Sequence, residues 1–154
     1  MIECHVKGLR ELDAQLKRFP ILLQQNILDK ATASGARIAR DAAKSNAPVR
    51  TGEMLRSIRM VKNRKSREAT SYLVGVFKKG WYGRLVESGT KAHTIKAKNA
   101  KVLTDGKSFF GKEVKIPMVR ARPWLSPALT FNQERIVKKV GETIKKWLDR
   151  YDRI

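Results

Sequence analysis

Ala47-Pro48-Val49-Arg50-Thr51-Gly52-Glu53-Met54-Leu55-Arg56-Ser57-Ile58 is where a long helical pattern stops and a strand-like pattern begins. Pro48 pushes Ala47 out of the α region, so a helix arriving from the N-terminal side must end there. Thr51-Gly52 then makes a turn. Ser57-Ile58-Arg59-Met60-Val61 alternates polar and apolar residues, the pattern of a half-buried strand. The stretch is dense in residues with fixed backbone roles and holds no catalytic chemistry.

Working back from it, Leu23, Ile27, Ala31, Ile38 and Ala42 repeat at helical spacing. They predict a helix that has Pro20 in its first turn and runs to about Ala43. Its second half presents small residues, Ala31, Ser34, Gly35, Ala39 and Ala42, which let another element pack close by. Before Pro20, the apolar residues Leu9, Leu12, Leu16 and Phe19 predict a short amphipathic helix.

Working forward, Lys62-Asn63-Arg64-Lys65-Ser66-Arg67 reads as a basic hairpin tip. Ser71-Tyr72-Leu73-Val74-Gly75-Val76-Phe77 is the strongest strand by β-propensity, and Lys78-Lys79-Gly80 closes it. Trp81 to Glu87 fits one or two helical turns, stopped by Ser88-Gly89-Thr90. From Lys91 to Lys115 the pattern is weak and basic. Strands are expected at Ile95–Leu103 and Lys112–Met118, with Asp105-Gly106-Lys107 as a turn between them. This region is read as an arm or loop that orders only against a partner. Ser126 is the expected N-cap of a last helix with Pro127 at its first position. Leu129, Ile136, Val137, Val140, Ile144, Trp147, Leu148 and Tyr151 mark its apolar face as far as Tyr151, and that face is expected to pack on a sheet or on a neighbouring subunit. The fold class is therefore α+β, a small antiparallel sheet packed against N-terminal helices and a long C-terminal helix, with an extended basic loop.

The length of 154 residues suits a single domain over 1–154 with a real core. Basic segments at about 62–67 and 91–115 are the expected flexible parts. No apolar run approaches the roughly 20 residues that span a bilayer, and the N-terminus lacks the pattern of a signal peptide. Cys4 stands alone, which suits a reducing compartment. The net charge of +20 is concentrated: residues 47–126 hold 19 Lys/Arg against 5 Asp/Glu. Such a surface attracts nucleic acid or an acidic protein. Arg64, Lys65, Arg67, Lys96, Lys98 and Lys101 are the candidate contacts.

Catalytic constellations are scarce. There are two histidines, His5 and His93, and no paired metal-ligand spacing, phosphate loop or nucleophile elbow occurs. No cofactor or metal is expected. One enzyme-like set, Glu87, His93 and Asp105 in a basic region, could serve a metal-dependent nuclease. Glu87 has a simpler reading as a partner of Arg50 or Arg84, or as an acceptor of turn N–H groups. Gly52 and Gly89 end local elements and would permit positive φ. In Arg122-Pro123-Trp124, Pro123 locks φ and Trp124 supplies an apolar anchor at the entry to the last helix.

Four stretches occur together and in order: Gly8-Leu9-Arg10-Glu11-Leu12; Ala47-Pro48-Val49-Arg50-Thr51-Gly52 with Leu55 and Ser57-Ile58; Tyr82-Gly83-Arg84-Leu85-Val86-Glu87-Ser88-Gly89-Thr90; and Ala121-Arg122-Pro123-Trp124-Leu125-Ser126-Pro127-Ala128-Leu129. In these the chain resembles the neck or tail-completion proteins of long-tailed bacteriophages, also described as minor tail or head–tail joining proteins. Ser88 stands where that family commonly has an aromatic residue, and Trp124 where phenylalanine is usual. Ile116-Pro117-Met118-Val119-Arg120 replaces a histidine-proline-glycine approach to the last motif. The resemblance implies a structural α+β subunit that joins head to tail without cofactor or catalysis. It implies assembly as a homo-oligomeric ring between a head-closure or connector ring and a tail-terminator or tail-tube protein, with packaged DNA passing nearby and no membrane. It marks Arg50, Thr51, Gly52, Tyr82, Glu87, Gly89, Thr90, Arg122, Pro123 and Trp124 as structural or interaction residues. The alternative on charge alone is a basic nucleic-acid-binding protein.

Overall fold

The computed structural model describes residues 9–64, 70–97, 102–104 and 106–151. They form two compact units, residues 1–81 with 124–154, and residues 82–123. The class is α+β: helices, two separate two-stranded antiparallel sheets and a long C-terminal helix.

In the first unit, α1 (Leu9–Leu16) leads through a turn to α2 (Ile21–Asn46). Pro20 sits just ahead of the first helical residue, in an extended conformation at φ −54 and ψ 145, rather than inside the first turn. Helix α2 also runs past Ala43 to Asn46, because Ala47, the residue before proline, is the first forced into extended geometry. Its buried residues are Ile27, Ala31, Gly35, Ala39 and Ala43, a stripe at four-residue spacing. Ala43, not Ala42, completes the buried face.

The last helical stretch differs from a single rod. It is divided into α5 (Leu125–Thr130) and α6 (Gln133–Tyr151), with Phe131 and Asn132 between them. Side chains compete for the backbone here: Asn132 Nδ2 donates to the Ala128 carbonyl and Thr130 Oγ1 to that of Ser126, both at 3.0 Å. The Asn132 N–H turns back to Leu129 O, and Asn132 O receives the N–H of Ile136 to begin α6. Ser126 is not the N-cap. Trp124 holds that position and Pro127 is the third residue of α5, where a missing N–H is still harmless.

Helix α6 packs on α2 and α1 rather than on a sheet. The reason lies in the stripe of small residues. A Cβ at Gly35 would come within 2.9 Å of Val140 Cγ2 and 3.1 Å of Ile136 Cγ2, so glycine sets how closely the two helices approach. Leu16, Ile27, Ala31, Ile144 and Leu148 form the buried core there, with Leu12, Phe19, Leu23, Val140, Trp147 and Tyr151 packed around it. Lys30 Nζ lies 3.7 Å from the Trp147 ring centroid, a cation–π contact at the rim of this core. Helix α5 packs on another part of α2.

After α2 the chain forms a short helix, α3 (Glu53–Ser57), which the alternating pattern concealed, and then the hairpin β1 (Ile58–Lys62) and β2 (Tyr72–Val76). Register pairs Ile58 with Val76, Met60 with Val74 and Lys62 with Tyr72. Both strands pack on α2. At the far end of the hairpin Asp29 of α2 receives Lys62 Nζ at 2.7 Å and the Tyr72 hydroxyl at 3.0 Å. The hydrogen bond from Lys62 holds the Asp29 carboxyl below its usual range. Burial, followed by the hydrogen bond to Asp29, raises the Tyr72 phenol.

The second unit contains α4 (Gly83–Ser88), β3 (His93–Lys96) and β4 (Glu113–Ile116). The segment expected to be a loop over 91–115 thus carries an antiparallel ribbon. Strand β3 starts two residues before the expected Ile95 and ends at Lys96.

Candidate functional site

The junction opened by Pro48 is built from backbone. Gly52 adopts φ +71 immediately before α3, and its carbonyl accepts the Arg56 N–H at 3.0 Å. Thr51 Oγ1 accepts the N–H of Glu53 at 3.4 Å, and the Thr51 carbonyl accepts Arg56 Nη2 at 3.3 Å. Met54 and Ile58 are buried, whereas Arg50 and Thr51 are exposed. Trp124 is 1% exposed, and its carbonyl accepts Asn46 Nδ2 from the end of α2. It is the apolar anchor that its position before the last helices suggested.

In the second unit, Tyr82 caps α4 with its carbonyl, which accepts N–H groups from Leu85 and Val86. Gly89, at φ +70, ends that helix and lies tight against a second segment. A Cβ there would sit 2.6 Å from Val119 O and 2.7 Å from Ala121 N. Thr90 and Val119 exchange both backbone hydrogen bonds, at 2.9 and 3.0 Å, and Arg122 N–H donates to Val86 O at 2.8 Å. The stretches 82–90 and 119–123, far apart in sequence, therefore form one backbone clasp. Pro123 closes the unit at the edge of the clasp.

From the clasp springs the ribbon. Its register runs from the Thr90–Val119 bridge through His93–Ile116, Thr94–Lys115, Ile95–Val114 and Lys96–Glu113. Alternation places His93, Ile95, Val114 and Ile116 on one face and Thr94, Lys96, Glu113 and Lys115 on the other. The charged face is partly self-neutralised, since Lys96 Nζ lies 3.4 Å from its cross-strand partner Glu113. Farther out, Thr104 bridges Phe109, and Gly106 takes φ +89 at the expected turn. Ile95, Phe109, Phe110, Met118 and Val119 are all exposed, Phe109 to 79%. Sequence reasoning named the cations of this region and missed its apolar side chains. Their one signal in the sequence was the adjacent pair Phe109-Phe110.

Other expected site residues are less concentrated. Arg50, Thr51, Gly52 and Trp124 belong to the first unit, and Tyr82, Glu87, Gly89, Thr90, Arg122 and Pro123 to the second. Arg64 is exposed at the turn after β1. Lys65, Arg67, Lys98 and Lys101 lie outside the described residues, as do Cys4, His5 and Asp105. His93 Nδ1 contacts the Lys91 carbonyl at 3.0 Å. Among the described residues no group of three His, Cys, Asp or Glu side chains could hold a metal ion, and no helix is long and apolar enough to cross a membrane.

The family model described as "Bacteriophage HK97-gp10, putative tail-component" matches residues 10–89. That match covers more than half of the chain. The chain belongs to the HK97-gp10-like family. The matched span takes in α1, α2, the Arg50-Thr51-Gly52 junction, the first hairpin and the helix ending at Gly89. No curated protein and no solved structure matches the chain. Family membership gives the protein a structural role as a phage tail component, in company with other phage structural proteins.

Proposed function

We propose that this HK97-gp10-like protein acts at the head–tail junction of a tailed phage or prophage, in the virion once assembled and in the host cytoplasm before. It assembles as a homo-oligomeric ring between the head-closure or connector ring and the tail-terminator or tail-tube protein. It works by shape, without cofactor or catalysis.

The observation that supports this reading is the ribbon of the second unit. It is amphipathic, and its exposed apolar side chains, Ile95, Phe109 and Phe110, are of the kind that neighbouring subunits bury. A ring interface is heterologous, so one subunit face must meet a different face of the next. The ribbon supplies one of those faces. The basic segments 62–67 and 91–115 order further on docking, and their cations face packaged DNA or an acidic neighbouring ring.

Deleting the gene from the phage and imaging the lysate by negative-stain microscopy tests this function. Full heads and free tails of normal length, left unjoined and rescued by the gene in trans, are expected. Intact infectious virions, or a complete loss of heads, would contradict it. A free nucleic-acid-binding protein would leave head–tail joining intact.

A further inference from the structure

The outward face of the first hairpin differs from a solvated strand surface. Its inward face, Ile58, Met60, Val74 and Val76, is turned to α2. On the other side, register sets Val61 opposite Leu73 and Arg59 opposite Gly75, and Phe77 continues the same alternation along β2. Val61 is 43% exposed and Leu73 54%. A Cβ at Gly75 would meet nothing within 4 Å, so the middle of this face is an open notch. The notch leads to a cleft of about 340 Å³ lined by Glu53, Arg56, Arg59, Phe77, Lys78 and Lys79. Four cations and one carboxylate thus surround an aromatic side chain. Lys78 holds φ +51 at the cleft, the one described non-glycine residue in the left-handed region.

We propose that this surface receives an extended acidic segment of a neighbouring protein, with apolar side chains at alternate positions. The two-residue spacing of Leu73, Gly75 and Phe77 matches the side-chain repeat of an extended chain. Arg56, Arg59, Lys78 and Lys79 supply the complementary charge. A DNA duplex would offer phosphates to these cations and nothing to the apolar notch between Val61, Leu73 and Phe77. A second copy of this chain is a poor donor, because the one stretch of its sequence that alternates acidic and apolar residues, Glu11-Leu12-Asp13-Ala14, lies within helix α1 and is not extended. The occupant is therefore a different protein. This proposal rests on the hairpin and cleft alone and does not depend on the position of the subunit in the virion.

Calorimetric titration of the full chain at about 150 mM salt with three probes tests it: an alternating Glu/Leu peptide, the matching Lys/Leu peptide and a short DNA duplex. The Glu/Leu peptide is expected to bind and the Lys/Leu peptide not to. Gly75→Trp fills the notch without a Cβ clash or positive φ. It is expected to weaken peptide binding by at least about tenfold and to leave duplex affinity unchanged. Arg59→Glu combined with Lys79→Glu removes the charge complement and is expected to weaken the peptide to a similar extent. Circular dichroism checks that each variant is folded. Absence of Glu/Leu binding to the native chain, or binding to both variants as tight as to the native chain, would overturn the proposal. Duplex affinity that falls in Gly75→Trp while the peptide is unaffected would assign the surface to nucleic acid instead.

Discussion

Gly89 carries two constraints at once, a left-handed φ of +70 and a backbone neighbour where a Cβ would have to go. Either one favours glycine; together they make it the tightest point of the clasp. Gly89→Ala is expected to destabilise the second unit by about 2 kcal/mol or more, read as faster amide hydrogen exchange at Thr90, Val119 and Arg122. Unchanged exchange there would show that the clasp tolerates a side chain. Asp29 is a residue whose importance the sequence conceals, because it meets Lys62 and Tyr72 only after α2 and the hairpin are packed. Its depressed folded pKa means that its stabilising contribution is complete above about 3.9, the usual aspartate value, and is lost as pH falls through the lower folded value. Tyr72 acts in the opposite sense: its raised folded pKa keeps the contribution complete below about 10 and loses it as pH rises further. With Lys62 half-exposed and screened by solvent, Asp29→Ala should cost only about 1 kcal/mol at neutral pH. The cost should shrink in acid, as measured by urea melts across pH.

At the scale of elements, strong periodicity was legible and local competition was not. Leu9, Leu12, Leu16 and Phe19 announced α1, and the pattern around Ile27 and Ala31 announced α2. The break at Phe131–Asn132 was hidden because the apolar spacing continues across it, while the Asn132 and Thr130 side chains take carbonyls of their own turn. Helix α3 was hidden because five residues cannot show a helical period beside a proline-initiated turn. Gly35 was readable as a small residue on a helix, but its partner was not: only the structure reveals that α6 crosses there. Gly35→Leu should force α2 and α6 apart and lower stability by about 1–3 kcal/mol, detected as a fall in denaturation midpoint. The ribbon offers a second test at this scale. If its segments order further on docking, limited proteolysis of the free subunit should cut first within 91–115. Protection of that region in the isolated protein would argue that it is already fixed.

For the whole molecule, the concentration of positive charge drew attention to nucleic acid, whereas the geometry adds apolar surface to charge. Unit 82–123 holds ten Lys/Arg against three Asp/Glu, yet it also exposes Phe109, Phe110 and Met118. Charge is visible in composition; which apolar residues remain uncovered depends on packing, and no periodicity reports it. The family match accounts for a phage tail component and covers the chain only as far as residue 89, so the ribbon beyond it is where this protein's own contacts are to be sought. The most direct measurement is a cryo-electron microscopy reconstruction of the virion at a resolution that traces side chains. The predicted result is a closed ring of this chain between the head-closure ring and the tail, with the ribbon carrying Phe109 and Phe110 buried against an adjacent subunit. A virion in which the chain is absent, or lies elsewhere along the tail with that ribbon in solvent, would contradict the account.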